Sequence, residues 1–204
     1  MNWDNLPLNW FDIAILIVLI IGLQQGRKNG LSVELLGALK WLTILFGCAF
    51  AYEPVAGLIT SLATAFGMFS ANLTAYVGAA LLIASLFAFM KKASGGKLFG
   101  GDTFGNGEFY LGMMAGMVKA MCITFALLAL LNARYFSPAE VKASMKYQNE
   151  VYGSDFFPSL YTVQSQVFVK SFTGPWIKKQ LSWLLIKPTV PEQTQFARKE
   201  FSVP

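Results

Sequence analysis

The chain has 204 residues, of which 55% are apolar and only 13% are charged. A soluble domain usually carries about 25% charged residues, and one of this size could not bury so much apolar surface, so a water-soluble fold is excluded. The formal net charge is +5, but no basic stripe interleaves with aromatic residues on a polar surface, so nucleic-acid binding is not expected.

Four apolar segments predict membrane-spanning helices, at about 10–26, 31–52, 71–90 and 109–131. A helix needs about 20 apolar residues to cross the hydrocarbon core. Lipid-exposed backbone must satisfy its own hydrogen bonds, which favours helices over strands. Residues 1–9 carry no Lys or Arg, unlike the basic start of a signal peptide, so the first segment is expected to remain attached and span.

Three links connect these segments, and each has its own composition. The first, 26–30, is short with glycine at both ends, which predicts a tight helical hairpin. The second, 53–70, opens with Glu-Pro and is apolar, which predicts an interfacial helix or a re-entrant segment. The third, 91–108, contains six glycines and is expected to be a mobile loop.

Basic residues are concentrated in two of these links. The first link holds Arg27 and Lys28, and the third holds Lys91, Lys92 and Lys97. The positive-inside rule therefore places both links in the cytoplasm, with the N-terminus and the C-terminal tail outside. A long tail crosses the membrane largely regardless of its own charge.

The segment 133–187 is expected to form an amphipathic helical tail, followed by a disordered end, 188–204. Ser137 and Glu140 frame a capping box with proline at the first helical position. The stretch 175–188 sets tryptophans and leucines against Lys178 and Lys179. Such a helix can lie in the membrane interface, and packing against the rest of the tail is the alternative.

Small residues recur at four-residue spacing in the spanning segments. Small residues on one face let helix backbones approach closely in lipid, so we expect them to form contact surfaces within one bundle or between protomers. The two clearest series are Gly22, Gly26 and Gly30, and Gly112, Gly116 and Ala120.

Four charged residues fall inside the predicted spans. A charge near the bilayer centre costs about 2.5–3.5 kcal/mol. Asp12 and Glu34 lie near helix ends, where they can reach headgroup water, whereas Lys40 and Lys119 lie deeper. Glu34 and Glu108 are both candidate partners for Lys119, and we hypothesise that a Glu108–Lys119 pair fixes the fourth helix in register.

The sequence contains no histidine and only two cysteines. This excludes Ser-His-Asp and Cys-His catalysis and removes the commonest metal ligand. Cys48 and Cys122 lie within apolar runs, as small core residues do. We therefore expect a protein that is not an enzyme and that has no cofactor and no metal site.

Two sets of residues carry a family resemblance. The first set comprises Asp12, Gly22, Gly26, Arg27, Gly30, Glu34 and Trp41, and the second comprises Glu108, Gly112, Gly116, Lys119 and Ala120. In order and spacing they resemble the two signatures of the colicin V production protein (CvpA) family. That family usually has Asp, Arg and Gly at the positions of Glu108, Lys119 and Ala120. The resemblance covers about residues 9–132 and not the tail.

The resemblance implies a multi-pass bacterial inner-membrane protein linked to colicin V production or secretion and to envelope homeostasis. From it we expect an accessory or assembly factor that works within the lipid bilayer, as a homo-oligomer or with membrane-protein partners. The competing hypothesis is a small oligomeric channel or transporter. It would use Lys119, Glu34 and the first hairpin as a polar path.

Overall fold

The computed structural model describes residues 9–63, 67–95, 105, 107–152 and 159–191. Within these residues the predicted all-α fold is confirmed, and four helices are long and apolar enough to cross a membrane. They are α1 (Trp10–Asn29), α2 (Leu31–Leu62), α3 (Met68–Ala93) and α4 (Gly107–Asn132). Three shorter helices follow, α5 (Pro138–Tyr152), α6 (Leu160–Phe168) and α7 (Thr173–Gln180), and then a 3-10 turn at Ser182–Leu184.

The first hairpin is tighter than predicted. α1 begins behind a capping box in which Asn9 and Asp12 each accept a hydrogen bond from the other's backbone. The helix continues past Gly26 to Asn29, so Gly30 alone separates it from α2. Gly30 has φ 72, a conformation that glycine adopts without steric cost. The predicted five-residue link, 26–30, is therefore a single residue.

The predicted end of the second helix near residue 52 is wrong, because α2 continues through Pro54 to Leu62. Proline cannot donate to the carbonyl four residues earlier, but membrane helices tolerate it when neighbouring elements support the backbone. The residues around Pro54 pack against other elements, since Tyr52 and Ala56 are buried in the core beside the tail. The predicted interfacial or re-entrant link is thus largely helical. Residues 64–66, 96–104 and 106, which include most of the predicted mobile loop, lie outside the described residues.

The four long helices pack side by side in the order α1, α4, α2, α3. Because consecutive helices run in opposite directions, the bundle has two distinct ends. We call one the hairpin end, which holds Gly30, the end of α3 and the start of α4. The other is the tail end, which holds the start of α1 and the ends of α2 and α4.

The tail packs against the tail end of the bundle. The side-chain amide of Asn132 donates to the carbonyl of Ile186 at 2.9 Å, and the amide of Lys187 donates to the hydroxyl of Tyr52 at 3.2 Å. Lys187 also pairs with Glu53. The hydrogen bond and the charge of that carboxylate raise the pKa of Lys187 above its ordinary value.

The sequence predicts one amphipathic helix over 175–188, either in the membrane interface or packed on the tail. This stretch is instead α7, a 3-10 turn and an extended segment. The reason is burial: Leu184, Leu185 and Ile186 all lie in the core, which a straight interfacial helix would not allow. Trp176 and Trp183 stay about half exposed, and Trp183 stacks on an aromatic ring of α2 with centroids 5.8 Å apart.

Ordered structure continues beyond residue 188, where the sequence predicts disorder. The amide of Thr189 donates to the carbonyl of Ala133 at 3.0 Å, and the amide of Tyr135 donates back to Thr189 at 3.0 Å. The remainder of the predicted disordered end, 192–204, lies outside the described residues.

Candidate functional site

The glycines of α1 and α4 face each other within the bundle. A Cβ atom added to Gly26 would overlap the backbone carbonyl of Gly112, and one added to Gly116 would overlap the carbonyl of Gly22. A Cβ on Gly22 would lie 2.7 Å from the Cβ of Ala120. The two helices are therefore in backbone contact, as small-residue helix pairs in lipid are. Of the two expected locations for this contact surface, the structure shows the one within a single chain.

Glu108 supports the turn between α1 and α2. It lies in the first turn of α4, and its Oε1 accepts a hydrogen bond from the amide of Ser32 at 3.4 Å. A Cβ on Gly30 would come within 2.9 Å of the same oxygen. The carboxylate thus occupies the space that a side chain at Gly30 would need.

The hypothesised Glu108–Lys119 pair is wrong. Eleven residues separate the two along α4, which places them about 16 Å apart along the helix axis. Lys119 pairs instead with Glu34, the other candidate.

The Glu34–Lys119 ion pair connects three of the spanning helices. Glu34 is only 3% exposed and Lys119 is 19% exposed. The second carboxylate oxygen of Glu34 accepts a hydrogen bond from the side-chain amide of Asn29 at 2.9 Å. Each charge alone would be costly in the membrane, so the pair and its amide donor compensate for burial.

Asp12 lies at the tail end of the bundle, where its carboxylate binds the tail and does not simply face headgroup water. Its two oxygens accept hydrogen bonds from the amides of Phe172 and Thr173, both at 3.0 Å, and from the Thr173 hydroxyl at 2.7 Å. One of them also accepts from the amide of Asn9 at 3.0 Å. The carboxylate therefore fixes α7 to the first turn of α1.

Arg27 joins neither the glycine contact nor the ion pair. Its side chain is exposed in the last turn of α1. There it lines an open depression at the hairpin end together with Lys28, Phe109 and Tyr110. This position suits a residue that faces water or headgroups.

A cleft of about 490 Å³ opens beside the Glu34–Lys119 pair. Residues of all four spanning helices line it. Its polar lining comprises Gln25, Asn29, Glu34, Lys40, Lys91 and Lys119, and its apolar walls include Leu36, Trp41, Phe87 and Ile123. Sequence reasoning identified Lys40 as a deep charge but did not connect it with Lys91. Their proximity depends on how α2 packs against α3, for which the sequence carries no direct signal.

Comparison with known families gives a match over most of the chain. The sequence model of the colicin V production protein family matches residues 11–163. The match extends beyond the predicted limit at residue 132 and includes α5 and the start of α6. No curated protein and no solved structure gives a significant match. Since the family match covers most of the chain, including the glycine contact and the Glu34–Lys119 pair, the chain belongs to the colicin V production protein family.

Proposed function

We propose that this protein is a non-enzymatic accessory or assembly factor of the bacterial inner membrane that supports production and secretion of a colicin V-type toxin and envelope homeostasis. The observation that carries the proposal is the family match over residues 11–163. In the proposed orientation the hairpin end faces the cytoplasm, and the tail end faces the periplasm.

The packing of the bundle supports a role in assembly. The glycine faces of α1 and α4 are used within the chain, so partners must bind elsewhere. The outer face of α3 offers a broad apolar surface, on which Leu81, Leu82 and Phe89 are 65%, 68% and 74% exposed. We propose that this face binds lipid and a second copy or another membrane protein.

The arrangement of charges does not favour the channel or transporter alternative. That hypothesis used Lys119, Glu34 and the first hairpin as a polar path. In the structure they neutralise each other, and Glu34 is almost fully buried. An ion pair that is locked between helices is better suited to holding α2 and α4 together.

A complementation experiment tests the proposed role. In a strain that makes colicin V, deleting the gene should lower exported toxin, measured as growth inhibition of a sensitive lawn. Leakage of a periplasmic enzyme into the medium should rise. The wild-type gene should restore both readouts, and so should Gly78→Ala, because a Cβ at Gly78 meets nothing within 4 Å.

Gly116→Leu is the matched variant that should fail to complement. Its side chain would collide with the backbone of α1, and overpacking of this kind typically costs about 1–3 kcal/mol or more. Unchanged toxin export in the deletion strain would contradict the proposed function, whatever the variants do.

A further inference from the structure

We call the cleft beside the Glu34–Lys119 pair the basic cleft. Two of its lysines have no acidic partner in the part of the chain that the structure describes. Over those residues the ion pairs are Lys119–Glu34 and two pairs in or near the tail. Lys40 and Lys91 both line the cleft but belong to none of them. Because Glu34 already matches Lys119, no carboxylate among the described residues compensates the positive charges of Lys40 and Lys91 in this cavity.

The two lysines lie at different depths below the hairpin end. Lys91 is in the last turn of α3, the level at which a spanning helix is expected to reach the polar headgroup layer. Lys40 is nine residues after the start of α2, about 14 Å along the helix. Its amine can extend back toward the headgroup layer along its flexible stem, and lies 5.5 Å from the centre of the Trp41 ring. A charge at this depth is unfavourable without an anion beside it.

The remaining walls of the cleft are mostly apolar. Leu36, Phe87 and Ile123 line them, and the small side chains of Ala84 and Ala88 leave room. A cavity with basic residues near the headgroup level and apolar walls beside them fits an amphiphile. Basic pockets between membrane helices on the cytoplasmic side bind anionic headgroups in this manner.

We infer that the cleft binds a phosphate-bearing anion, the headgroup of an anionic phospholipid, with Lys40 and Lys91 as counter-charges and an acyl chain along the Phe87 wall. The Glu34–Lys119 pair lines the same cleft, and because Lys119 neutralises Glu34, this carboxylate does not repel the phosphate. This lipid site is independent of the proposed role in toxin secretion.

Fluorescence quenching of Trp41 tests the site directly, because this residue lines the cleft. The full-length chain has five tryptophans, and replacing the other four by phenylalanine leaves Trp41 as the only reporter. In phosphatidylcholine nanodiscs, brominated phosphatidylglycerol should quench Trp41 at a mole fraction at least about tenfold lower than brominated phosphatidylcholine. Two lysines near an anionic headgroup would give a preference of that order.

Charge-matched variants assign this preference to the cleft. Lys40→Gln/Lys91→Gln should abolish it, and Lys91→Gln alone, at an exposed position, should reduce it. The control Lys92→Gln/Lys170→Gln removes the same charge from exposed lysines outside the cleft and should keep it. An equal loss in both double variants, or no preference in the starting protein, would overturn the inference. Relief of quenching by inorganic phosphate, at an ionic strength matched with chloride, would overturn the lipid assignment in favour of a free anion.

Discussion

Glu34 is the most deeply buried charged residue in the part of the chain that the structure resolves in detail, and its environment explains why it can be charged there. Lys119 neutralises one oxygen and the Asn29 amide binds the other. Buried ion pairs of this kind add little stability over an apolar packing of the same shape, whereas breaking one by removing a single partner is strongly destabilising. Besides holding α2 and α4 together, the pair is therefore expected to act mainly on the register in which these helices pack.

Removing only one partner of this pair should cost more stability than removing both charges. Lys119→Met should lower the unfolding free energy by about 3–5 kcal/mol, because it leaves Glu34 buried and unpaired. The double variant Glu34→Gln/Lys119→Met should recover much of that loss, measured by denaturant titration in detergent micelles. Lys187→Met is the matched control, since it breaks a pair with Glu53 that is largely exposed, and its effect should be much smaller. If the single and double variants were equally destabilised, the pair would not be energetically coupled.

At the scale of elements, the contact between Asp12 and α7 joins the first α-helix to the last one in the described part of the chain. The backbone amides at the start of α7 have no partners within the helix, and the Asp12 carboxylate accepts two hydrogen bonds there. The negative charge also lies at the positive end of the helix dipole. One side chain of α1 thus positions the short helix that precedes the buried residues Leu185 and Ile186.

Asp12→Asn should release α7 without unfolding the bundle. An amide has one acceptor oxygen and no charge, so it cannot replace a carboxylate that accepts four hydrogen bonds. Hydrogen bonds to charged groups contribute about 1.5–3 kcal/mol, so the amides of Phe172 and Thr173 should exchange with solvent roughly 10- to 100-fold faster. Glu150→Gln makes the same chemical change at an exposed acid of α5 and should leave these amides protected. Unchanged exchange in Asp12→Asn would show that other contacts hold α7.

The sequence predicts the spanning helices better than their ends and contacts. Long apolar runs are sufficient to predict four spans, because only a membrane accepts them. The ends of α1 and α2 were harder to predict, since Gly26 and Pro54 usually interrupt helices and here lie inside them. The sequence hardly indicates the contact between Asp12 and α7. The partners of Asp12 are mainly backbone amides, which every residue except proline has. The partner of Lys119 depends on the register in which the helices pack. The opposed glycines of α1 and α4 help to set this register, but only the folded structure shows which of them meet.

At the scale of the whole molecule, the two ends of the bundle differ in surface chemistry. At the hairpin end, the exposed side chains of α1 and α3 include Arg27, Lys28 and Lys92. At the tail end, Trp10 and Trp176 are 52% and 59% exposed, as in the aromatic belts that mark membrane interfaces. Basic residues also occur in the tail, but long segments translocate largely regardless of charge. The concentration of basic residues at the hairpin end therefore agrees with the proposed orientation, in which the tail faces the periplasm.

Cysteine labelling in cells tests this orientation. Both native cysteines are buried, with Cys48 at 0% and Cys122 at 3% exposure, so they should not react with an impermeant maleimide. In cells with a permeabilised outer membrane, Val169→Cys, at a position 69% exposed in the tail, should be labelled. Lys28→Cys at the hairpin end should be labelled only after the inner membrane is lysed. Labelling after lysis would show that position 28 is accessible and had been protected by its location on the cytoplasmic side. Labelling of Lys28→Cys but not Val169→Cys before lysis would reverse the orientation, and would place the basic cleft at the periplasmic leaflet.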